Sequence, residues 1–343
     1  MYSESDIDAA VAAGVLPAEM AAQFRAFVAT QKTAPAVDEE YVRLLTGFND
    51  IFVSIAITLV LGAIAFSAGA APVKAGLVAL CSWGLAEFFT RRRRMALPSI
   101  LLLLSYAGGV AGLLLWGTGK MSGVPGLRTA QDNPALALCL AAAAGLMALA
   151  MWLHWRRFRV PITIAAGAAL VALILIAVLL AALPALRAHW PWLLFAAGCA
   201  IFALGLRWDM TDLARKTGRS DVAFWLHLLA APMLVHPLFY LLGLLHGGAQ
   251  GQGRAALAIL IYLALGLIAL LVDRRALLVS ALGYVLFALS SVLKASGVIG
   301  PDLAYTALVA GAALLLLSAF WHKARQFVLL AAPAGLRRHL PPA

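Results

Sequence analysis

From Ile51 onward the chain alternates long apolar runs with short polar breaks, and the runs recur at the length of a membrane crossing. A helix needs about 20 mostly apolar residues to cross a hydrocarbon core of ~30 Å. On that measure the pattern predicts ten spans, at 50–70, 72–90, 96–116, 133–154, 160–183, 191–207, 222–245, 255–272, 276–293 and 303–321. Breaks such as Pro184 to Trp190 and Gly247 to Gly253 divide runs too long for one crossing. The predicted fold class is all-α, a polytopic transmembrane helix bundle.

Before the first span the pattern is different. Ser5 and Asp8 have the form of a capping box, Ile7 and Val11 make a short apolar stripe, and Gly14 stops it. Pro17 suits a first helical position, and Met20, Phe24, Phe27 and Val28 then fall on one face. The expected organisation is a cytoplasmic amphipathic helical hairpin and linker at 1–47, a transmembrane domain at 48–325 and a cytoplasmic tail at 326–343. Residues 6–28 are the candidate surface for a protein partner or for self-association. The acidic first 47 residues lack the continuous apolar core of a cleavable signal, so the first span is expected to serve as the anchor.

Composition excludes a water-soluble globule. With 64% hydrophobic and 12% charged residues there is too little polar surface to cover a chain of 343. A net charge of +11 would point to nucleic acid in a soluble protein, but here the basic residues cluster between apolar runs and report topology. With the N-terminus inside, 20 of the 26 basic residues fall on the cytoplasmic side, among them Arg91 to Arg94, Arg156, Arg157, Arg159, Arg274 and Arg275. The other side keeps Lys74, Lys120, Arg128, Arg187, Arg254 and Lys294. The C-terminus is then also inside, the expected location is a bacterial inner membrane, and the expected partners are membrane lipids, with no nucleic acid. Tryptophans at 116, 152, 155, 190, 192, 208, 225 and 321 lie near predicted span ends, and only Trp83 sits deeper.

An internal repeat runs through the pattern. Asn49-Asp50-Ile51 opens span 1 and Ser220-Asp221-Val222 opens span 7; Arg93-Arg94 through Ser99 parallels Arg274-Arg275 through Ser280. Trp152 through Arg156 to Phe158 likewise parallels Trp321 through Arg325 to Phe327. Spans 1–4 and 7–10 are thus expected to be parallel copies of a four-span unit, joined by spans 5 and 6.

The middles of the spans carry no Asp, Glu, Lys or Arg, which weighs against an ion pump built on a buried carboxylate. Span 7 is the exception in polarity, with His227, Pro232, His236, Pro237 and Tyr240. Each proline leaves a backbone carbonyl one turn earlier without its helical donor. His236, near the predicted midpoint, shares a face with Tyr240, whereas His227 lies on the opposite face of a straight helix. His236, Tyr240, His227, Tyr284 and Ser290 are the candidate substrate-contacting set. Asp50 and Asp221 are candidate helix caps or gate residues. Gly108 and Gly112 have small-xxx-small spacing for close helix contact. The loop from Arg207 to Asp221 reads as a solvated connection suited to anionic headgroups. Cys81, Cys139 and Cys199 read as apolar fillers, and no metal site, cofactor or catalytic motif is expected.

The plan of a short helical hairpin from Asp6 to Val28, a polar linker and an array of apolar helices resembles proteobacterial membrane-protein families of unknown function. Segments 47–53 and 224–232 carry that resemblance, which implies no catalytic residues. Ten spans with cytoplasmic termini also resemble the drug and metabolite transporter superfamily, whose five-span inverted repeats differ from the parallel units read here. The leading functional expectation is a transporter-like permease for a neutral or apolar small molecule, with spans 1 and 7 as central helices. The alternative is a non-catalytic sensor or scaffold whose N-terminal hairpin binds a partner.

Overall fold

The computed structural model describes residues 4–31, 48–122, 134–213, 215, 217–243, 252–275, 277–278, 282, 286, 308, 311–312, 315–333, 335 and 340. Every element among them is helical. Residues 1–41 and 42–343 form two separate compact units.

The first unit is a hairpin of α1 (Glu4–Ala12) and α2 (Ala18–Gln31). Gly14 turns the chain in the left-handed region at φ +70°, where a Cβ would be strained. Ala21 of α2 is fully buried, and Arg25 donates to Asp8 at 2.7 Å. Asp8 therefore pairs across the hairpin, and Ser5 lies inside α1, so the expected capping box is not formed.

The second unit is a bundle. Its helices are α3 (Phe48–Phe66), α4 (Ala71–Ala86) with a π-helical turn at Glu87–Arg92, α5 (Ala96–Ser122), α6 (Pro134–Phe158) and α7 (Ile162–Ala182). After a 3-10 segment at Pro184–His189 come α8 (Trp190–Met210), α9 (Gly218–Leu241), α10 (Gln252–Val272) and α11 (Trp321–Ala331). Among the described residues seven helices are long and apolar enough to cross a membrane, so this is a multi-pass membrane protein. Predicted spans 276–293 and 303–321 lie largely outside the described residues. α11 crosses the expected boundary at 325, and Trp321 begins that helix and is buried.

Phe52, Ile55, Leu59, Leu173, Leu175 and Val178 point outward from α3 and α7, an apolar surface suited to lipid. Lipid tails are as apolar as these side chains, so helix association rests on close packing. Small residues provide it. A Cβ on Gly109 would lie 2.7 Å from both Ala75 O and Ala79 N, and one on Gly198 would lie 3.0 Å from the Met233 carbonyl carbon. Gly108, half of the spacing motif read from sequence, faces open space, so the close approach of α4 and α5 runs through Gly109 and Gly112.

α9 is the central helix. Half of its apolar window is buried, against 6% for α7 and at most 22% for the other spans. It packs on α7 and α8 and meets α10 through Val235, Phe239 and Leu265. Among the described residues α3 packs instead on α4 and α5, and no extensive contact pairs it with α9 as the expected central helices of spans 1 and 7.

Candidate functional site

The helix ends at Met210, Gly218, Val272 and Trp321 bring together a network of buried charges. Its first centre is Asp209, 4% exposed, in the last turn of α8. The Arg274 guanidinium donates to Asp209 Oδ1, and at 3.4 Å to Oδ2; a further Arg274 N–H reaches the Ser220 carbonyl at 3.1 Å. His227 Nε2 lies 2.9 Å from Asp209 Oδ2. An ionised carboxylate can only accept, so the imidazole carries its proton on Nε2. Nδ1 is left buried without a hydrogen-bond partner. The ring fits because Gly205 has no side chain: a Cβ there would stand 2.9 Å from His227 Cε1. Phe202 covers it edge-on with ring centroids 5.0 Å apart.

The second centre is Asp273, which follows α10. Its φ of +58° places it at the left-handed position where glycine usually closes a helix, and Arg274 N bonds back to Ala269 O at 2.9 Å. Aspartate tolerates that conformation better than most residues. Here its carboxylate is used three times, accepting from Arg215 Nη1 at 2.9 Å and Trp321 Nε1 at 2.8 Å, with Arg325 Nε 3.5 Å away. Arg215 also donates to the last carbonyl of α10, Val272 at 3.2 Å, and to that of Asp273 at 2.9 Å, where a cation meets the negative end of the helix dipole. Arg275 stacks over the Trp321 ring at 4.9 Å.

Asp212 and Thr217 close the loop between α8 and α9. Thr217 donates to Asp212 Oδ2 through N at 2.9 Å and Oγ1 at 2.6 Å, and its hydroxyl accepts from Arg219 N at 3.3 Å as the N-cap of α9. Thr217→Ala is expected to lower the stability of the detergent-solubilised protein by about 1 kcal/mol, with Thr217→Ser close to wild type, both read from denaturant unfolding. Asp221 sits further in, in the first turn, and does not cap by side chain. Asp50 is likewise in the first turn of α3, 2% exposed, with Ser54 Oγ donating to its carbonyl at 2.6 Å.

No family model, curated protein or solved structure matches this chain. Its chemistry therefore rests on its own residues.

The candidate set divides. α9 runs four residues earlier at each end than predicted, Gly218–Leu241 against 222–245, so His227 lies near the midpoint and His236 in the last turns. Both rings lie against α8 at opposite ends of it, rather than on opposite faces of α9. His236 and Tyr240 do share a face and flank Trp190 with ring centroids 6.2 and 4.9 Å away. Tyr284 and Ser290 lie outside the described residues.

The sequence reading missed Asp209, Asp273, Arg274 and Trp321 as one constellation. A signal was present. Beyond Asp50 the chain has only seven acidic residues, and Asp209, Asp212, Asp221 and Asp273 are four of them, each close in sequence to arginine. So scarce a carboxylate beside an arginine at a span end is better read as a partner than as solvation.

Proposed function

We propose that the protein is a transporter-like permease of a bacterial inner membrane for a neutral or apolar small molecule, crossing ten times with both termini in the cytoplasm. The observation that carries this reading is α9, the most buried span among the described residues, a continuous helix that holds Pro232 and Pro237 in its interior. Each proline leaves a backbone carbonyl one turn earlier without its helical donor, an acceptor that a solute inside the bundle could use. Trp190, His236 and Tyr240 at one end of α8 and α9 form an aromatic and polar patch suited to an uncharged solute. The Asp209 and Asp273 networks at the other end are a lock that must part before α9 can move. Short basic turns next to that lock support its assignment to the cytoplasmic face.

With Cys81, Cys139 and Cys199 replaced, Tyr240→Cys in sealed proteoliposomes is expected to react with a membrane-impermeant maleimide from one side. Leu173→Cys on the lipid-facing surface is expected to stay unmodified. A Tyr240→Cys protein unreactive from both sides removes the solute path.

A second reading, a sensor or scaffold, draws on α2, whose Met20, Phe24 and Phe27 are each more than half exposed at one-face spacing. Deleting residues 1–37 separates the two. Loss of a partner with Tyr240→Cys labelling unchanged favours the scaffold.

A further inference from the structure

The end of α4 holds a cluster that neither the lock nor the patch at Tyr240 uses. At Glu87–Arg92 the helix passes into a π turn, a geometry that recurs at functional sites. A cavity of about 460 Å³ opens there, lined by Gly84, Glu87, Phe88, Arg91 and Arg92. Two arginines bind its one carboxylate, and Arg92 and Arg93 follow Arg91 in the chain. Arg157 of α6 holds Glu87 through two bonds of 2.6 and 2.9 Å, and Arg91 reaches it only at 3.4 Å. Arg93 stacks over the Phe88 ring at 5.5 Å. Arg92 has no ion-pair partner among the described residues.

Gly84 lines the cavity, and a Cβ there would meet nothing within 4 Å. Toward the middle of the span the surface of α4 is apolar, with Leu80 and Leu77 facing outward, 72% and 46% exposed. Cations above an open cavity, and above an outward-facing apolar strip on the same helix, match the two parts of a phospholipid. The phosphate accepts from planar guanidinium groups, and the acyl chains lie along the leucines.

We infer that Gly84, Arg91 and Arg92 form a binding site for the headgroup of an anionic phospholipid, with Glu87 and Arg157 holding α4 against α6 behind it. Arg91, held weakly by Glu87, turns to the phosphate, and Arg92 supplies the second cation. A zwitterionic headgroup brings its own positive charge to the same arginines and is bound less well.

The test uses the full chain, solubilised with dioleoylphosphatidylglycerol or dioleoylphosphatidylcholine, with lipid retained after size exclusion counted by native mass spectrometry. Wild type is expected to retain phosphatidylglycerol in preference to phosphatidylcholine. Arg91→Gln is expected to weaken that retention about fivefold, and Arg91→Gln with Arg92→Gln by the product of two such factors. Gly84→Leu narrows the cavity with all charges in place and is expected to reduce the preference. Because a Cβ at this position meets nothing within 4 Å, it also keeps the test valid if an arginine variant fails to fold. Equal retention of the two lipids by wild type, or an unchanged preference in folded Gly84→Leu, overturns the assignment. So does displacement of phosphatidylglycerol by an equal concentration of inorganic phosphate, which would make free phosphate the ligand.

Discussion

Asp209→Ala is expected to destabilise the detergent-solubilised bundle by about 3 kcal/mol. The carboxylate is the shared acceptor for Arg274, 1% exposed, and His227, fully buried, and its removal leaves a guanidinium and an imidazole N–H without their partner. The loss is dominated by the stranded charge rather than by the pairs themselves, since a buried ion pair roughly breaks even against well-packed apolar groups. That distinction can be measured. Asp209→Ala with Arg274→Met removes both charges and is expected to recover much of the loss, so the two substitutions are strongly non-additive in a double-mutant cycle. Asp209→Asn, which can still accept from His227, is expected to fall between Asp209→Ala and wild type. If Asp209→Ala unfolds in denaturant within about 0.5 kcal/mol of wild type, Arg274 already has a substitute partner and the lock is no lock.

Gly109→Val is expected to cost about 3 kcal/mol, at the upper end for overpacking. A Cβ there meets the Ala75 carbonyl and the Ala79 amide, both backbone atoms that cannot rotate away. α4 and α5 would have to separate along their contact. In water such a loss is partly offset by burying the new methyl groups, but in lipid the separated helices gain only lipid contacts in exchange for packed ones. Gly108→Val is the control, because a Cβ there meets nothing within 4 Å and the position is exposed. It is expected to unfold close to wild type. Equal damage from the two variants would show that helix propensity or insertion, and not the helix contact, sets their stability.

The two variants also mark where sequence reading stops. Spacing of small residues picks out a stripe that could be an interface, and Gly108 and Gly112 satisfied it as well as any pair. Which of the adjacent glycines 108 and 109 faces α4 depends on the rotation of α5 about its axis. That rotation is set by the packing of Leu102 and Leu103, on α5 itself, against the rest of the bundle. One residue of rotation turns a lipid-facing position into a contact.

The same reason explains His227 and His236. Their separation and the two prolines were legible, and so was the shared face of His236 and Tyr240. Assigning the midpoint to His236 followed from placing the span at 222–245, by hydropathy. The helix instead begins at Gly218 because Thr217 caps it and because Ser220 and Arg274 meet there, polar contacts that no hydropathy window scores. Four residues of shift exchange the depths of the two histidines.

Length, periodicity and composition by themselves determined that this chain is helical and lives in a membrane, because a bilayer imposes one requirement on every crossing segment and each segment meets it locally. The basic residues also marked the turns. Only the tertiary structure decided that Asp209 and Asp273 gather arginines, a histidine and a tryptophan from separate elements into buried pairs. A charge at a span end has the same sequence signature whether it faces water or a partner. Only the arrival of another helix, dozens of residues away in the chain, settles which.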